Sequence, residues 1–88
     1  MKATAVFQRV LKRNRDIISY LHEALAHYKE VKRFADEEGD KEEEYMAHNQ
    51  VMLVKKELRK MVFEQKTLKG MIQAISYVEH NPEEVESI

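Results

Sequence analysis

The chain has 88 residues, 43% apolar and 35% charged, with a formal net charge of −1, two glycines, one proline and no cysteine. That length limits it to one small domain, near the lower bound at which a single core offsets the conformational entropy of folding. The missing thiols exclude a disulfide scaffold and a thiolate metal centre, so packing must supply the stability.

The first residues lack the continuous apolar stretch of a signal peptide, and no segment approaches the ~20 apolar residues of a membrane span. A soluble, cytoplasmic protein is the expectation, with no membrane partner. Helix one is predicted over about residues 3–38. Its apolar residues recur in steps of three and four as Phe7, Val10, Asn14, Ile17, Leu21, Ala24, Tyr28, Val31 and Ala35, assigned to alternating a and d positions. Leu11, Ile18 and Leu25 follow as an extra line one position further round.

Two histidines in this helix invite a chemical reading. The stretch from His22 to His27 resembles a zinc-peptidase helix until the spacing is counted, because ligands on one face must lie four apart and these lie five apart. His27 with Lys29 or Lys32 nearby resembles a phosphotransfer histidine, but the small residue that usually follows such a lysine is absent. Glu23 with His27 and Glu44 with His48 are four-residue pairs, read as solvated helix contacts.

Residues 37–40 form the predicted turn, in an acidic run of Asp36, Glu37, Glu38, Asp40, Glu42, Glu43 and Glu44. Gly39 is suited to end helix one and Asp40 to cap helix two, with Glu43 as its capping-box partner. The acids before Gly39 sit against the unfavourable end of the helix dipole, which predicts fraying there. The run is no EF-hand, since placing Gly39 sixth puts Phe34 at the first ligand position.

Helix two is predicted over about 41–80, with the stripe Ala47, Val51, Val54, Leu58, Met61, Gln65, Leu68, Ile72 and Ile75. Val62 lies beside it. Tyr45, Met52, Phe63 and Tyr77 make a weaker apolar line off the stripe, assigned to partner binding. Residues 81–88, beginning Asn81-Pro82, read as an acidic tail after a hairpin of residues 1–80.

Folding about Gly39 opposes residue i to about 79 minus i, which brings Asn14 within a turn of Gln65. Either a buried amide pair pins the register or both amides sit at a wet rim. A break at Asn14-Arg15-Asp16 or at Gly70 is the competing architecture. The expected fold is all-α, a long antiparallel two-helix hairpin that dimerises into a four-helix bundle, because two helices bury too narrow a seam to stand alone. The self-association interface is assigned to Leu11, Ile18, Leu25 and Val62. The expected function is a non-enzymatic protein–protein interaction module that needs no cofactor, no metal and no catalytic residue, and binds itself and another protein through helix faces. Nucleic-acid binding through a basic patch of Arg9, Lys12, Arg13, Arg59, Lys66 and Lys69 is the second reading.

Overall fold

The computed structural model describes residues 4–81. Two elements account for nearly all of them, α1 over Ala5–Glu38 and α2 over Lys41–His80. They form an antiparallel hairpin with principal extents of 67 × 24 × 12 Å. Its radius of gyration, 20.2 Å, compares with about 12 Å for a compact domain of this length. The acidic tail expected beyond Asn81 lies outside the described residues, as does the start of helix one expected at residue 3.

The turn is built as its residues dictate. Gly39 adopts the left-handed conformation, φ 75°, that L side chains resist. Its N–H donates to the Asp36 carbonyl at 3.1 Å, while the Asp40 N–H donates to the Ala35 carbonyl at 2.9 Å, the two bonds of a Schellman motif. The Asp40 carboxylate then accepts from the Glu43 N–H at 3.0 Å, and Glu42, Glu43 and Glu44 fill the first turn, where the helix dipole favours negative charge. Because Ala35 already takes the Asp40 N–H, only one half of the expected capping box is used.

The acids closing α1 do not shorten it. The helix runs to Glu38, and Arg33 bridges Glu30 at 2.6 Å and Glu37 at 2.9 Å across adjacent turns. The hydrogen bond to Glu30, with the charges of Glu30 and Glu37, raises the guanidinium pKa further above its ordinary value. Neither competing break occurs, because α1 passes unbroken through Asn14-Arg15-Asp16 and α2 through Gly70.

On α2 the seam follows the predicted stripe, and Ala47, Val51, Val54, Leu58 and Gln65 are buried along it. On α1 the predicted a positions Phe7, Asn14, Leu21, Tyr28 and Ala35 hold, while at alternate positions the row moves by one residue. Leu11 is only 4% exposed, whereas Ile17, expected inside, is 38% exposed. The row facing α2 is Phe7, Leu11, Asn14, Ile18, Leu21, Leu25, Tyr28, Lys32 and Ala35, all buried or half-buried. The cause is a degeneracy in α1, which is apolar at both members of the pairs Val10/Leu11, Ile17/Ile18 and Ala24/Leu25. Turning the two leucines inward buries more hydrocarbon than turning Val10 and Ala24 inward, at about 0.8 kcal/mol per methylene. Lys32 enters the row as a consequence, and its ammonium reaches out to donate to His48 Nδ1 at 3.1 Å.

Two changes test the turn. Asp40→Ala is expected to lower the unfolding free energy by about 1 kcal/mol through loss of the cap. Gly39→Ala is expected to lower it by about the same amount through backbone strain, although a Cβ there meets no neighbouring atom. Urea unfolding of both variants checks this, and no change in Gly39→Ala would contradict the strain argument.

Candidate functional site

The one-residue displacement decides what each side of the hairpin offers. With Leu11, Ile18, Leu25 and Lys32 turned to α2, a second stripe of the same three-and-four spacing turns outward, Val6, Val10, Arg13, Ile17, Tyr20, Ala24, His27, Val31 and Phe34, of which Val10, Ala24 and Val31 are half-buried. Val6, Ile17, Tyr20 and Phe34 are exposed, and Tyr20 reaches 68%. α2 extends this side with Met46, Leu53, Met71 and Val78, all exposed. Two open clefts mark it. Val10 and Arg13 border one with Glu64 and Met71, and Val31 borders the other with Glu43 and Met46. We call this side the apolar face.

The opposite side has a different chemistry. One of its clefts is lined by His22, Arg59, Val62, Phe63 and Lys66 over the buried Leu58, and a second by Lys32, Lys41, Glu44, Tyr45 and His48. Heptad spacing places Lys12, Arg15 and Lys29 of α1 and Lys55, Arg59, Lys66 and Lys69 of α2 on this side. No carboxylate shares that length of it. Asp16, Glu23, Glu30 and Glu37 recur every seven residues along the back of α1, and Glu57 and Glu64 lie toward the apolar face. None of these seven cations forms an ion pair among the described residues. We call this side the basic face.

The residues singled out from the sequence divide accordingly. Leu11, Ile18 and Leu25 do not form an outward flank, since Leu11 is buried in the seam and the other two are half-buried beside it. Val62 remains exposed, but on the basic face. The apolar surplus recognised in the sequence is present on the other side. Tyr45, Met52, Phe63 and Tyr77 are all exposed, yet they are strung along α2 rather than gathered into one patch. Of the basic patch, Lys12, Arg59, Lys66 and Lys69 share a face, Arg13 points to the apolar side, and Arg9 lies on the back of α1.

The two amides are buried, with Asn14 at 4% and Gln65 at 8% exposure. Neither alternative holds in full, since both are buried but do not hydrogen-bond to each other. Gln65 Nε2 instead donates to the Leu11 carbonyl at 3.5 Å, a long contact, and its Oε1 is buried without a partner among the described residues. A buried unsatisfied carbonyl carries a desolvation penalty of about 1–3 kcal/mol. Gln65→Leu is therefore expected to raise the unfolding free energy by about 1 kcal/mol in thermal melts, and a loss of stability would show that the amide is satisfied in solution.

His22 and His27 fall on opposite faces, as five-residue spacing requires, and the His27 ring meets Tyr28 edge-on at 5.6 Å. Among the described residues no group of three His, Asp or Glu side chains is placed to hold a metal ion. No described helix is long and apolar enough to cross a membrane. No protein-family model matches the chain, and comparisons with curated proteins and with solved structures find no match either.

Proposed function

We propose that this chain is a protein–protein interaction module that works by helix-face recognition and carries out no chemistry of its own. The observation behind this reading is the outward stripe of α1, on which Val6, Ile17, Tyr20 and Phe34 are exposed at coiled-coil-like spacing. A stripe of that spacing receives another helix in the same way that the seam receives α2. Its Tyr20 and Phe34, with Met46 and Met71 of α2 on the same side, are of residue types enriched at protein interfaces.

The test compares recovery of proteins from a nuclease-treated native lysate by the wild-type chain and by a chain carrying Tyr20→Lys and Leu53→Lys. Recovery that depends on the apolar face supports the reading. Equal recovery by both chains contradicts it, provided circular dichroism finds them equally helical.

A second reading rests on the basic face. Acid-free over the length from Lys12 to Lys29, it offers seven cations to phosphates, with the exposed ring of Phe63 between Arg59 and Lys66. Fluorescence anisotropy with a labelled oligonucleotide tests it. Affinity should fall steeply with added salt and be lost in Arg59→Glu/Lys66→Glu, whereas a flat salt response would rule out phosphate neutralisation.

A further inference from the structure

The outward stripe of α1 has a property that the seam lacks: its chemical pattern reads nearly the same in both directions. Tyr20 is its midpoint. Counting outward from there, Ile17 mirrors Ala24, Arg13 mirrors His27, Val10 mirrors Val31 and Val6 mirrors Phe34. Apolar positions mirror apolar ones, and the two polar positions mirror each other. Such a stripe is complementary to itself when a second copy runs in the opposite direction, because a two-fold axis pairs each position with its mirror.

We propose that the occupant of the apolar face is a second copy of this chain, laid face to face and antiparallel about a two-fold axis through Tyr20. The proposal rests on the helix-face reading above and names its partner. α1 then packs against its counterpart, with Tyr20 meeting Tyr20 of the partner subunit and Val6 meeting Phe34 of the partner subunit. Arg13 faces His27 of the partner subunit, so neither polar side chain is opposed by hydrocarbon.

Charge along the rod selects the same orientation. The turn end carries Asp36, Glu37, Glu38, Asp40, Glu42, Glu43 and Glu44 against Lys41. In a parallel dimer two acidic turns lie side by side. In the antiparallel dimer the two turns lie at opposite ends of the bundle, which removes that repulsion.

The face is also large enough for a stable dimer. The face measures 67 by 24 Å, a footprint of roughly 1,600 Å², which leaves room for the roughly 800 Å² per partner of a standard interface. The basic faces are left on the two outer sides of the resulting four-helix bundle.

The absence of native cysteine makes the arrangement directly testable. Tyr20→Cys is expected to form a covalent dimer on mild oxidation, because the axis brings position 20 against itself, within the ~7 Å between Cα atoms that a disulfide allows. Phe34→Cys is expected to stay monomeric under the same conditions, since its copy lies about 42 Å away along the rod. Sedimentation should give twice the monomer mass for the wild type and for Val62→Glu, and the monomer mass for Ile17→Glu. Should Ile17→Glu lose its helicity, the cross-linking pair decides alone. A monomeric wild type, dissociation by Val62→Glu instead of Ile17→Glu, or efficient cross-linking through Phe34→Cys would each overturn the proposal. A monomer that captures a different protein through Tyr20 and Leu53 would overturn it while leaving the broader reading intact.

Discussion

Everything in this molecule depends on a single interlocked row of side chains between two helices. Each helix contributes about one residue per turn, and the buried leucines Leu11 and Leu58 still retain 4% and 8% exposure. No large side chain is fully enclosed among the described residues. A two-helix seam has an inside only along a line, so the remaining apolar surface of each helix has nowhere to go within the chain. The accessible surface of 7035 Å² against about 5,400 Å² for a compact protein of 10.5 kDa measures that deficit. The function we propose is the consequence of that geometry.

Much of this was legible in the sequence, for identifiable reasons. The turn was readable because Gly39 and Asp40 each have a local conformational preference that needs no tertiary partner. The α2 stripe was readable because only one set of its positions is apolar at coiled-coil spacing, with Lys55, Glu57, Arg59, Glu64 and Lys66 closing off the alternatives. α1 offered no such restriction. Val10 and Leu11, Ile17 and Ile18, Ala24 and Leu25 satisfy two stripes one residue apart, and periodicity cannot choose between them. Side-chain volume chooses, and so Leu11, Ile18 and Leu25, expected with Val62 on an outward flank, turn toward α2 instead.

The same displacement reorganises the charges. Read along the chain, Asp16, Glu57 and Glu64 interrupt the basic residues and weaken any electrostatic pattern. On the folded rod these acids turn away, and Lys12, Arg15, Lys29, Lys55, Arg59, Lys66 and Lys69 share a side that carries no carboxylate between Lys12 and Lys29. Segregation by face is set by the heptad phase, which the sequence left ambiguous for α1. The buried amides illustrate a different limit: proximity of Asn14 and Gln65 followed from the turn, but whether they bond to each other depends on side-chain directions that spacing does not specify.

The central claim is that a seam one residue wide holds α1 and α2 together only with help from a copy covering the apolar face. Circular dichroism melts over roughly a hundredfold range of concentration test it most directly, since association that stabilises the folded state makes the midpoint rise with concentration. The account predicts such a rise, with helicity and dimer lost together on dilution. A midpoint that stays constant while the diluted chain remains a fully helical monomer would contradict it.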